Sequence, residues 1–151
     1  MSQITVSNVK SAKDCAIEIG TNGTAWTDVS GYANKIDVSK GDREVGENFT
    51  FDGDTPLLTV GKRKALEVKT QILYTEGATE GFALVQAAYE NGTLLYERYT
   101  PKGKTAGNKQ YSFAAGYVTN PPYVSADVGD AKAMTFEYTL IVPSATTTTV
   151  P

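Results

Sequence analysis

The sequence predicts a mainly β domain served by one short helix, and three stretches carry that prediction. In the last of them, Met134, Phe136, Tyr138, Leu140 and Val142 alternate with Ala133, Thr135, Glu137 and Thr139, the period of two that arises when one strand face is buried. The same period runs through Leu66, Val68, Thr70, Ile72 and Tyr74, with Glu67, Lys69 and Gln71 between them. Beyond Thr79 the period changes. Phe82, Val85, Ala88 and Tyr89 fall on one side of a helix spanning about 79–91, with Leu84 at its margin. Thr79 is expected to cap its start, Glu80 to suit the positive end of its dipole, and Asn91-Gly92 to end it with a residue that tolerates positive φ. A strand from Thr93 to Thr100 follows directly.

The remaining elements are weaker and fall in between. Residues 1–13, rich in Ser, Lys and Asn, are expected to form a flexible N-terminal arm. Cys15, Ile17 and Ile19 then alternate with Ala16 and Glu18, and Thr21-Asn22-Gly23-Thr24 supplies turn chemistry for a first hairpin. Its return carries Trp26 and Val29, and a short strand with Ile36 and Val38 on one face comes next. Residues 39–61 differ in kind. Val45, Phe49, Phe51, Leu57, Leu58 and Val60 are scattered among Gly41, Gly46, Gly53 and Pro56, which predicts a long loop or hairpin standing off the body. Pro101 to Lys109 reads as a mobile basic loop, and Tyr111, Phe113, Ala115 and Tyr117 as one strand, stopped by Asn120-Pro121-Pro122. A turn runs through Ala126 to Ala131, Pro143 ends the last strand, and residues 144–151 read as a flexible Thr-rich tail.

With 151 residues, the chain is of a size for one domain, expected over 14–143, with enough length to bury a core without disulfides. Its 40% apolar content and mean hydropathy of -0.27 are ordinary for a globular protein, and no apolar run nears the roughly 20 residues of a membrane span. Nothing in Met1 to Lys10 has the pattern of a secretion leader, so synthesis in the cytoplasm is expected. The single cysteine, Cys15, excludes an internal disulfide and reads as a small core side chain. Net charge is -3, which argues against a dedicated nucleic-acid surface. Between Lys35 and Asp54 six acids face three bases, while the rest of the chain balances, so the whole negative excess lies there.

No catalytic constellation is present. There is no histidine and no cysteine pair, and no phosphate-binding glycine loop or dinucleotide fingerprint follows a strand. Asp52 and Asp54 flank Gly53 as in the start of a calcium loop, but the string lacks the further oxygen ligands and terminal Glu, and a turn with aspartates bonding their own backbone is the plainer reading. Gly61-Lys62-Arg63-Lys64 is a positive patch, read as a solvated strand entrance meeting an acidic neighbour rather than a phosphate site. The nine tyrosines suit subunit interfaces and core edges equally. The expectation is a non-enzymatic protein without metal or cofactor.

Several of these stretches together resemble a known family. They are Ala25-Trp26-Thr27-Asp28-Val29-Ser30-Gly31-Tyr32-Ala33, the excursion ending in Phe51-Asp52-Gly53-Asp54, and the strand from Leu66 to Glu76 leading into a single helix. They continue with Arg98-Tyr99-Thr100-Pro101-Lys102-Gly103, the Tyr111 to Tyr117 strand and the alternating last strand. Across most of residues 14–142 this arrangement resembles the major tail tube proteins of long-tailed, siphovirus-type bacteriophages. The resemblance implies a two-sheet β-sandwich, barrel-like, with one flanking helix and a protruding hairpin. It implies hexameric rings stacked into a hollow tube in the virion tail, with tape-measure and terminator or initiator proteins as partners. DNA passes through such a tube without specific binding, and no membrane is involved. In that family the long loop between early strands contacts neighbouring subunits and rings, which makes Asp42, Arg43, Glu44, Glu47, Asp52 and Asp54 the candidate assembly or lumen residues. The competing readings are a monomeric carbohydrate-binding-like sandwich, using Trp26 or exposed tyrosines as a stacking platform, and a phage head-decoration or neck protein.

Overall fold

A computed structural model of the chain describes residues 11–129 and 131–151. In chain order the strands are β1 (Ala16–Gly20), β2 (Thr27–Asp28), β3 (Ala33–Lys40), β4 (Arg43–Asn48), β5 (Leu57–Arg63) and β6 (Leu66–Leu73). The helix α1 (Gly81–Asn91) follows, then β7 (Tyr96–Thr100), β8 (Lys109–Phe113), β9 (Tyr117–Val118), β10 (Val124–Ser125), β11 (Thr135–Val142) and β12 (Ala145–Thr149). Most of the expected arm at 1–13 lies outside the described residues. Of its end, a 3-10 turn at Ala12–Asp14 leads into β1.

Two antiparallel sheets are formed, one ordered β12-β8-β7-β1-β2 and the other β10-β11-β6-β3, with β9 also on β11. The core lies where their inner faces meet. Phe136, Tyr138, Leu140 and Val142 of β11 and Val68, Thr70 and Ile72 of β6 are buried from one side, Ile17, Ile19, Leu95 and Phe113 from the other. The two strongest alternations in the sequence are thus direct neighbours, with Thr135 to Val142 running opposite Leu73 to Leu66. Met134, expected on the same face, lies before the strand and is exposed.

Helix α1 covers one end of the core with Val85 and Ala88, while Phe82 meets Phe136 and Tyr74 edge-on at 5.0 and 4.9 Å. It begins two residues later than expected, and Thr79 does not cap it. Glu80 occupies the cap position without a side-chain bond to the helix, its carboxylate accepting the Gly77 N–H instead, and the Tyr32 hydroxyl accepts the Gly81 N–H at 3.3 Å. Gly81 packs so tightly on Tyr32, Ile72 and Val29 that a Cβ would stand 3.3–3.4 Å from all three, so tertiary contact sets the start of the helix. The end is as expected, with Gly92 at φ 62° donating its N–H back to the last turn. Tyr89, expected on the buried side, is exposed.

Three further expectations are corrected. The stretch 111–117 is not one strand. β8 ends at Phe113 and the chain crosses to the second sheet as β9, because Ala114 donates to Ser144 and Gly116 pairs with Leu95. A side chain at Gly116 would collide with the Ile141 carbonyl, 2.1 Å from its would-be Cβ. The Thr-rich end is not a tail without a partner: β12 pairs along its whole length with β8, from Ala145 opposite Phe113 to Thr149 opposite Lys109. Likewise the 101–109 loop is pinned, by Asn108 Nδ2 donating to the Gly103 carbonyl at 3.0 Å, by Gly107 donating to Val150, and by a Lys104–Asp28 ion pair. Cys15 packs against the core from a half-buried position, where burial pushes its thiol up.

Candidate assembly surface

The excursion is a hairpin standing off the sandwich. β4 and β5 pair only with each other, as a separate two-stranded ribbon, and every residue of both is exposed. Its six large apolar side chains run from 56% exposed at Val45 to fully exposed at Phe51. Register explains how they are arranged. Val45 lies opposite Val60 and Glu47 opposite Leu58, while Gly46 lies opposite Thr59 and Asn48 opposite Leu57. Since residues across a strand pair share a face, one face of the ribbon carries Val45, Leu58 and Val60 with Glu47 among them, and the other carries Gly46, Asn48 and Thr59 with Leu57. On that second face Asn48 Nδ2 donates to the Leu57 carbonyl and the Thr59 hydroxyl at 3.3 Å each.

The base of the arm is stiffened by charge and by glycine. Lys64 donates its N–H to the Asp42 carbonyl at 3.0 Å and its ammonium to Glu44 at 3.4 Å, the acidic neighbour expected for the basic patch. Lys40 bonds Glu67 at 2.7 Å and holds that carboxyl below its ordinary range. The chain turns out of β3 through Lys40 and Gly41, both at positive φ, 64° and 83°. Glycine is required at 41, because a Cβ there would press 2.5 Å from the Leu66 side chain.

All six candidate residues are exposed on this arm, though they do not form one cluster. Asp42, Arg43 and Glu44 are at its base, Glu47 is on the apolar face, and Asp52 and Asp54 flank Gly53, at φ 124°, at the tip. Among the described residues, no group of three or more Asp, Glu or Cys side chains is placed to hold a metal ion. Among the described residues no helix is long and apolar enough to cross a membrane.

Two polar constellations in the sandwich were not singled out by sequence. Glu18 is nearly buried and receives both Nε and Nη2 of Arg98 at 3.2 Å. The same guanidinium lies over the Trp26 ring, 4.2 Å from its centroid, so Trp26 is a platform for Arg98. Glu97, next in the strand, points the other way into the core, between Thr70 and Tyr138. The signal for Glu97 was available: it is two residues from Leu95, hence on the same strand face as a side chain that is wholly buried. Elsewhere on the surface, Tyr89 and Tyr123 are exposed beside Phe82 and Pro121-Pro122 at the outer side of α1.

No protein-family model matches the sequence, and no curated protein matches it either. Solved structures share its fold. A chain of the PVC sheath-tube complex of an extracellular contractile injection system, in the extended state, superposes with TM-score 0.65 at 13% identity, covering 98% of this chain and 100% of that one. The SPP1 tail tube gives TM-score 0.68 at 14% identity over 92% of this chain and 78% of that one. The tail of an empty GTA particle, refined with C6 symmetry, gives 0.67 at 8% identity over 95% of this chain and 100% of that one. The mainly β, two-sheet architecture with one flanking helix is therefore the tail-tube-type fold that the resemblance implied.

Proposed function

We propose that this chain is a structural, non-enzymatic subunit of a tail tube, assembling with copies of itself into hexameric rings that stack around a channel. The observation that carries the proposal is the β4–β5 ribbon. A two-stranded hairpin is marginal alone in water, and this one presents Val45, Leu58 and Val60 on one face with no cover among the described residues. Exposed contiguous apolar surface of this kind marks an interaction site. The strand β12 adds a second incentive. Among the described residues it ends its sheet with an edge of Thr side chains that nothing pairs with, and it carries none of the charges or prolines that guard such edges, so pairing with another copy is favoured. Closed rings use such edges without runaway growth. The fold shared with tube proteins of phages and contractile systems supports the same reading.

The negative excess of the arm suits a conduit. Acidic groups lining a channel repel phosphates and leave little attraction to retain a passing genome. Among the described residues Asp42, Glu47, Asp52 and Asp54 make no ion pair, leaving their charge available to a lumen or a ring-to-ring contact. Tape-measure and terminator or initiator proteins are the further partners, in a virion tail. A carbohydrate-binding module is disfavoured by a specific contact, since the Trp26 face it would use is stacked under Arg98.

Negative-stain images of the purified chain, at raised concentration and over time with preformed tube ends as seeds, test the proposal. Rings or tubes are expected from the wild-type chain and only monomers from Val45→Ser/Leu58→Ser/Val60→Ser. A wild-type chain that stays monomeric on seeds, or a triple variant that assembles as well, would refute it. If Asp42→Asn/Glu44→Gln/Glu47→Gln leaves assembly, tube length and genome passage unaltered, the charge assignment is wrong.

A further inference from the structure

Glu97 has none of its surface exposed, and neither the arm nor the sheet edges make use of it. Its Oε1 accepts hydrogen bonds from the Thr70 hydroxyl at 2.8 Å and the Tyr138 hydroxyl at 2.9 Å. Thr70 and Tyr138 are fully buried and lie opposite each other on β6 and β11. One carboxyl from the first sheet is thereby held by two strands of the second. Its other oxygen, Oε2, finds no hydrogen-bond partner among the described residues.

Among the described residues no cation answers this carboxyl. On β1 its register partner is Ile19. Arg98, the next residue of its own strand, bonds Glu18 on the opposite face. Among the described residues it meets the Thr70 hydroxyl from β6 and, from β11, the phenol of Tyr138, the one other titratable group there that faces it. An ionised carboxylate would leave a charge in the apolar core with two hydroxyl bonds and one bare oxygen, whereas the neutral acid leaves no charge to solvate.

We propose that Glu97, Thr70 and Tyr138 form a proton-linked latch between the two sheets: with the carboxyl neutral it stabilises the sandwich, and ionisation removes that stabilisation by leaving an unpaired charge in the core. Burial pushes this carboxyl up from 4.5 to about 7, outweighing the two hydroxyl bonds that favour its charged form. The direction of the effect follows. The folded state holds the proton more tightly than the unfolded chain, so the latch contributes fully below pH 4.5. Its contribution is lost as pH rises through about 7 and changes little above that. The sequence has no histidine, and ordinary carboxyls have finished titrating by about pH 5, so few other side chains titrate in this window.

Urea unfolding of the full chain between about pH 5 and 8 reads the latch. The folded-to-unfolded ratio of the wild-type chain is expected to drop on the order of a hundredfold across that range. In Glu97→Gln, whose amide oxygen still accepts from both hydroxyls, it should stay level. A wild-type profile as flat as the variant's overturns the latch. Should Glu97→Gln fail to fold, carbon NMR of the Glu97 carboxyl in the wild-type chain decides: a midpoint near 7 supports the latch and one near 4.5 overturns it. Both measurements use the unassembled subunit, so their outcome is independent of tube formation.

Discussion

The sandwich and the arm are made from the same strand chemistry and reach opposite states. In β11 Phe136, Tyr138, Leu140 and Val142 are buried by the facing sheet. In β4 and β5 Val45, Leu58 and Val60 are also gathered on one face, yet each remains more than half exposed. Alternation therefore records that a face is to be covered, without saying by what. For β11 the cover is in the same chain. For the arm the described residues supply no cover, and in the proposed tube a second copy provides it.

That contrast can be broken by truncation, and the largest effect belongs to the sandwich. Ile72→Ala removes a fully buried side chain where the sheets meet α1 and is expected to cost about 2–5 kcal/mol of subunit stability in urea unfolding. Arg98→Ala comes next. It leaves the nearly buried Glu18 without its bidentate partner and uncovers Trp26, for an expected loss of about 2 kcal/mol. The smallest effect belongs to the arm, where Leu58→Ala should change the stability of the unassembled subunit by no more than about 0.5 kcal/mol, because its side chain is already 65% exposed. A Leu58→Ala cost as large as that of Ile72→Ala would mean that the arm folds onto its own sandwich.

How much of this was legible in the sequence depends on which contacts were local. β6 and β11 were readable because each buries one face against a continuous apolar layer. The hairpin at 39–61 was readable because its glycines and sparse apolar residues could not serve the core. β12 was not, since Thr146 to Thr149 carry no apolar pattern and owe their strand conformation to backbone pairing with β8. The break after Phe113 was hidden because Tyr117 continues the alternation, while the cause lies at Gly116 against the Ile141 carbonyl. Thr79 looked like a cap by residue type, but contact between Gly81 and Tyr32 sets the helix start. Of the candidate site, the exposure and charge of the arm were legible. The gathering of Val45, Leu58 and Val60 on one face required the register.

Amide hydrogen exchange, compared between the unassembled subunit and sedimented assemblies, tests the central claim most directly. Because β4 and β5 pair only with each other in the open, their amides should exchange early in the free subunit and become strongly protected on assembly. Those of β6 and β11 should be slow in both. Arm amides that exchange equally fast in both samples would contradict the claim that another copy covers this surface.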